Sequence, residues 1–200
     1  MNKAIKIFVP IFVLLLLISA YVVPFIETSE RISEDVFRLH ILANSDAEYD
    51  QQLKLKVRDA ILEKGQELFL NCSSLDEIIN TCEDNIALFS ATAEQCITDN
   101  GYGYSVNVYV DKEWFNTREY EEITLPSGIY NALKIEIGEA EGHNWWCVMF
   151  PAICLSAVSD SEINEILDDE EVDLINSNQK YEIRFKIVEV YEKIKSMFTA

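Results

Sequence analysis

The chain has 200 residues, 49% of them hydrophobic, and its 35 Asp and Glu against 16 Lys and Arg leave a formal net charge of -19. That length holds one domain plus a targeting segment. A surface this acidic repels phosphate, which excludes nucleic-acid binding through a basic face and leaves solubility, or a basic protein surface, as the use of the charge.

Residues 7–26 are almost wholly apolar, with Pro10 near the start and Pro24 near the end. Lys3 and Lys6 precede the run, and Glu27, Glu30, Glu34 and Asp35 follow it. The asymmetry places the N-terminus in the cytoplasm, and about 20 apolar residues span a bilayer. Ile18-Ser19-Ala20 is a fair cleavage site, because Ile18 is larger than the small residue preferred there. An uncleaved anchor and a cleaved signal both fit, and both put residues 27–200 outside the cytoplasm. The expected division is a signal peptide or membrane anchor over 1–26, a polar linker over 27–35, and one extracytoplasmic domain over 36–200. Five cysteines suit an oxidising or mixed compartment, and their odd number leaves at least one unpaired within the monomer.

From Phe37 to Ala43 the residues alternate as in a strand. Phe37, Leu39, Ile41 and Ala43 form an apolar face, while the opposite face carries Arg38 and His40. Asn44 and Ser45 end the strand, and Ser45-Asp46-Ala47-Glu48 reads as a capping box with Ser45 as N-cap. Arg38, His40, Asn44, Ser45 and Asp46 therefore meet at a βα junction, a place where exposed loops on a rigid scaffold often hold sites. Capping alone also explains Ser45. Tyr49 to Leu70 follows as an amphipathic helix on the stripe Tyr49, Leu53, Val57, Ala60, Ile61 and Leu68. A second capping box, Ser74-Leu75-Asp76-Glu77, opens a helix that runs to Asn100-Gly101. The two helices form an antiparallel hairpin. Cys72, Cys82 and Cys96 read as core or near-core residues, with a Cys72–Cys82 bridge as the lesser alternative. Cys82 and Cys96 sit about 21 Å apart along one helix and cannot pair with each other.

The period then changes to two. Tyr104 to Val110, Trp114 to Ile123, Ile129 to Ile137 and Asn144 to Phe150 are extended runs. They are separated by turns at Asp111-Lys112-Glu113, Pro126-Ser127-Gly128 and Gly138 to Gly142. Such close spacing predicts an antiparallel meander that the strand at Phe37 joins. Farther on, Asp160 to Leu167 reads as a short helix, Asp168-Asp169-Glu170-Glu171 as a solvated loop, and Tyr181 to Phe198 as a helix covering the sheet. The fold class is α+β. A βα unit and a helical hairpin pack on an antiparallel sheet of about four to five strands with a C-terminal helix, preceded by an apolar transmembrane or signal helix.

Trp145 and Trp146 are adjacent on a strand and must face opposite sides. One belongs to the core, and the other is either packed under the last helix or an exposed anchor for a protein partner. Cys147 and Cys154 enclose six residues including Pro151, so a reversal there would bring the sulfurs together. An enzyme reading needs a base beside a nucleophile. The chain has only His40 and His143, and Cys147 with His40 and Asp46 makes a triad on paper alone. No metalloprotease, phosphate-loop, serine-hydrolase or paired-cysteine motif is present, and His and Cys do not cluster as metal ligands do. The sequence points to no catalytic residue, metal or cofactor.

Two stretches carry a family resemblance. Arg38-Leu39-His40-Ile41-Leu42-Ala43-Asn44-Ser45-Asp46, followed by Gln52 to Ala60, resembles the stage II sporulation protein R family. So does Asn144-Trp145-Trp146-Cys147-Val148-Met149-Phe150-Pro151 with Cys154 after it, although Ala152 stands where the family pattern has a second proline. The resemblance implies a protein exported from the forespore of an endospore-forming bacterium into the space between forespore and mother cell. There it would activate a membrane-embedded aspartic protease that cleaves a mother-cell sigma-factor precursor. The implied role is that of a signal, with contact residues expected among Arg38, His40, Asn44, Ser45, Asp46, Trp145 and Trp146. The competing class is an extracytoplasmic cysteine-dependent enzyme acting in the same space.

Overall fold

A computed structural model describes residues 3–120, 123–150 and 167–175, together with 185, 186, 188–191, 193 and 195. The chain divides into two compact units. One comprises Glu34–Trp114 and Ile129–Asp168, the other Met1–Ser33, Phe115–Gly128 and Asp169–Ala200. In chain order the elements are α1 (Lys3–Asp35), β1 (Phe37–Leu42), α2 (Glu48–Phe69), α3 (Leu75–Asp84), α4 (Ile86–Asp99), β2 (Val106–Phe115), β3 (Arg118–Glu119), β4 (Thr124–Leu125), β5 (Gly128–Ile137), β6 (Asn144–Phe150) and α5 (Asp169–Ile175).

The first unit is a four-stranded sheet in the order β2-β5-β1-β6 with helices on one face. β1 pairs in parallel with β5, Leu39 opposite Leu133, and antiparallel with β6, Leu39 opposite Cys147. The α+β class is as the sequence indicates, but the sheet is mixed and not a meander. The Gly138–Gly142 loop does not join neighbouring strands, because β1 occupies the slot between β5 and β6. A parallel pair cannot be closed by a tight turn, and α2, α3, α4 and β2 supply the long crossover here. The apolar face of β1 (Phe37, Leu39 and Ile41) meets Leu53, Val57 and Ile61 of α2 and Phe89 and Ala93 of α4 in one core. A central strand is covered on both sides, so Arg38 and His40 are buried as well.

Local chemistry explains where the element bounds depart from expectation. The helix expected from Ser74 to Asn100 is broken at Asn85 (φ -113°, ψ 17°). Asn85 closes α3 by donating its N–H to Cys82 O at 3.1 Å and its side-chain amide to Thr81 O at 2.8 Å. Its own carbonyl then accepts the first bonds of α4, from Leu88 and Phe89. Ser74 caps α3 as read, accepting from Glu77 N–H, and Gly101 takes the left-handed φ of 83°. Asp111-Lys112-Glu113 is not a turn but lies inside β2. Among the described residues of the run Trp114 to Ile123, Trp114 and Phe115 end β2, and Arg118–Glu119 form β3, which pairs with β4.

In the other unit, α1 runs on through the polar stretch expected to be a linker. Its first part, from Ile7 to Val23, is apolar and almost wholly exposed, while Phe25, Thr28, Ser29 and Ile32 are buried. Among the described residues it is the one helix long and apolar enough to cross a membrane. Phe25 meets Phe185 edge-on at 5.5 Å, and Arg31 pairs with Glu170 at 3.1 Å and Glu171 at 3.7 Å. The acidic run is therefore no solvated loop. It opens α5, and Glu171 is buried. The described residues between Phe185 and Lys195 are helical and belong to the same unit as α1. The expected helix at 160–167 falls almost wholly outside the described residues, as does Cys154.

Candidate partner-binding site

The junction between β1 and α2 is tied into a knot of hydrogen bonds. Ser45 is not the N-cap of α2. That position is Ala47, and no side chain caps it. The Ser45 hydroxyl instead donates to Asp50 Oδ2 at 2.6 Å and accepts from Ala47 N–H at 3.2 Å. Glu48, the other half of the expected capping box, accepts from Gln52 at 3.2 Å. Asn44 donates to Asp50 Oδ2 at 2.9 Å, and its own Oδ1 accepts from Glu139 N–H at 3.0 Å. Backbone bonds from Glu141 to Asn44 O and from Gly142 to Ala43 O close the β5–β6 loop onto the same turn.

Glycine is required at two points of this closure. Gly138 has φ +60°, and a Cβ there would lie 2.2 Å from Asn44 Oδ1. A Cβ on Gly142 would lie 2.3 Å from the Ser45 carbonyl oxygen.

Asp50 is the buried centre of the knot. Burial alone would raise its carboxyl pKa, but the bonds from Asn44 and Ser45 outweigh it and hold the group below the ordinary carboxylate value. Lys54, one turn on, is buried too, donating to Gln51 Oε1 at 2.6 Å and to the His143 carbonyl at 2.7 Å. Burial lowers its pKa against the pull of Asp46. Asp46 and His143 form the exposed lip, with the His143 N–H donating to Asp46 Oδ1 at 2.6 Å and its ring paired with the same oxygen. The bond from the His143 side chain keeps the Asp46 carboxyl low.

Arg38 and His40 lie elsewhere, on the sheet face opposite α2 and α4. Their expected exposure is corrected by the structure, where they are 0% and 4% exposed. Arg38 sits over the Tyr130 ring at 4.9 Å and reaches the Cys147 carbonyl at 3.5 Å. His40 stacks on Trp146 with centroids 3.8 Å apart, and its Nδ1 meets Glu113 Oε2 at 2.6 Å. Lys134 pairs with the other Glu113 oxygen at 2.7 Å and lies 3.7 Å from Glu136, which accepts from Tyr109 and Asn107. Burial would lower the Lys134 pKa, but its bond with Glu113 leaves it above the ordinary lysine value.

The two tryptophans face opposite sides, as alternation requires. Trp145 packs on the helical side with the Arg58 guanidinium 4.4 Å above its ring, and Trp146 lies on the His40 side. Both are half-buried. The same alternation separates the paper triad. Cys147 belongs to the core cluster with Leu39 and Ile41, His40 points to the other face, and Asp46 is paired with His143. Among the described cysteines, Cys72, Cys82 and Cys96 are free thiols. Among the described residues no cluster of His, Cys, Asp and Glu could hold a metal ion.

Sequence reasoning missed Asp50, Lys54 and His143 at the junction and Glu113 and Lys134 on the sheet. A signal for the first two exists. Asp50 and Lys54 continue the buried stripe of Val57 and Ile61 toward the N-terminus of α2 at helical spacing. Buried charges at such positions require partners nearby.

A family model described as stage II sporulation protein R matches residues 33–160. The Bacillus subtilis (strain 168) protein of that name is 34% identical over 140 residues, which cover 70% of this chain and 62% of the relative. The chain thus matches less than two thirds of that protein's length. No solved structure matches.

Proposed function

Because the chain belongs to the stage II sporulation protein R family, we propose that it is an exported sporulation signal that activates a membrane-embedded aspartic protease. The cleaved target is the precursor of a mother-cell sigma factor, and the place of action is the space between forespore and mother cell. The observation that carries this reading is the match over residues 33–160, which holds the whole bonded junction and β6. The apolar α1 supports export and, when uncleaved, anchoring through residues 7–26. A ligand activates by binding the active state of its receptor better than the inactive one, so a rigid surface suits the task.

The contact surface in this proposal is the Asn44-Ser45-Asp46 turn together with Trp145 and Trp146 at the start of β6. Arg38 and His40 support it from the buried face and do not touch the partner. The test is reconstitution of the full chain with the protease and its substrate in vesicles. Substrate cleavage should depend on the chain and fall for Asp46→Ala and Trp145→Ala while both variants stay folded. Normal activation by the folded double variant would remove this surface. Loss of activation in a folded His40→Asn variant whose Trp146 packing is intact would favour an enzyme instead.

We also propose that Cys147 and Cys154 pair in the exported protein. Their spacing closes a short loop, worth about 2–3 kcal/mol on the chain-entropy estimate. Mass spectrometry under non-reducing conditions should show the linked peptides, and two alkylated thiols would leave both residues as packing groups.

A further inference from the structure

Beside the junction, Tyr49, Tyr102 and Tyr104 form a column of nearly parallel rings. Tyr49 and Tyr102 stack at 6.3 Å and 12°, Tyr102 and Tyr104 at 5.5 Å and 22°. The inner end is fixed, since Tyr102 and Tyr104 pack against the core and Tyr104 faces the Asp50 carboxylate. Tyr49 ends the column outward. It is 55% exposed, and among the described residues Tyr102 is the one ring stacked on it.

The surroundings are acidic. Glu48 precedes Tyr49 and is exposed. The β5–β6 loop is held beside Tyr104 by the bond from Gly138 N–H to Ser105 O at 2.8 Å, and it exposes Glu139 and Glu141. The nearby Lys54 is turned inward and already bonded. An aromatic face attracts cations through its quadrupole, arginine best among side chains because its plane continues a stack. Carboxylates around an open ring face strengthen that preference, and the net charge of -19 points the same way.

We propose that the tyrosine column and its acidic rim are the docking site for a basic, arginine-bearing segment of the partner protein. The guanidinium stacks on Tyr49, and Glu48, Glu139 and Glu141 pair with flanking cations. This deepens the reading of the chain as a partner-binding signal and rests on it.

The probe is a blocked peptide of alternating Gly and Arg, titrated into the full-length chain in detergent micelles and followed by tyrosine NMR signals. Tyr49→Ala should weaken binding about fivefold, as expected for an exposed cation–π contact, while Tyr49→Phe keeps it. Glu139→Gln with Glu141→Gln should weaken binding and flatten its salt dependence. Equal binding by the parent and a folded Tyr49→Ala variant overturns the site, as does equal binding of a matched Gly-Glu peptide. Peptide binding at Tyr49 by a chain that fails to activate the protease sinks the signalling reading and leaves the docking site standing. Activation that persists, with unchanged peptide binding, in Tyr49→Ala does the reverse.

Discussion

At Asp50 a buried carboxylate accepts from Asn44 and Ser45 in the turn after β1, so one side chain fixes the entry of the chain into α2. Its folded pKa is depressed, so its contribution to stability is complete above the ordinary carboxylate value of 3.8 and is lost as pH falls through the folded value. Asp50→Asn should cost about 2 kcal/mol at neutral pH, the worth of hydrogen bonds to a charged group. It should also flatten the acid limb of the stability curve in urea unfolding, and an unchanged limb would remove Asp50 from that role. Gly138→Ala places a Cβ against Asn44 at a left-handed backbone and should cost about 1–3 kcal/mol. Thermal unfolding of that variant next to Gly101→Ala, where a Cβ meets nothing within 4 Å, separates the clash from the shared backbone strain.

Between elements, Glu113 of β2 bridges His40 of β1 and Lys134 of β5. Glu113→Ala should cost about 2 kcal/mol by leaving two partners of a part-buried carboxylate behind, and the fluorescence of Trp146 under His40 should shift with it. A surface turn residue, as the sequence suggested, would change neither. The reading failed there because three consecutive charged residues look like a turn, whereas in β2 they are spaced by the strand alternation and Glu113 is paid for by partners on two other strands. β5 and β6 were plain in the sequence, since turn residues rich in glycine or proline bound their alternation. The break at Asn85 was hidden because the apolar period continues across it from Cys82 to Phe89. The place of β1 between β5 and β6 was hidden for a different reason. Its polar face signals a half-buried strand, and only the pairing of Arg38 with Tyr130 and His40 with Trp146 shows how that face is covered.

On the scale of the whole molecule, α1 carries the apolar run and the polar stretch after it as one continuous helix. α1 has 33 residues, about 50 Å at 1.5 Å per residue, longer than a hydrocarbon core of roughly 30 Å. Its last turns are structural, with Ile32 fully buried. Ile32→Ala should therefore destabilise the unit that holds it by about 3 kcal/mol, read by urea unfolding of the full chain in micelles. A silent substitution would restore the linker. The candidate contact residues were half visible to sequence reasoning. The turn at Asn44-Ser45-Asp46 stood out by composition, but its true partners Asp50, Lys54 and His143 are brought in by α2 and by a loop about a hundred residues away.

The central position of β1 also sets an order of events. Arg38 and Cys147, which meet across the β1–β6 pair, are 109 positions apart, and β5 is almost as distant from β1 in the chain. If the chain is exported as proposed, threading N-terminus first would deliver β1 while both of its neighbours are still on the far side. The helices between can form as they emerge, but the sheet cannot close, and distant pairings of this kind form slowly. On the proposed export, the chain would stay unclosed and thin enough to thread until β6 has crossed. Under the proposed export, arrival and competence would become the same event.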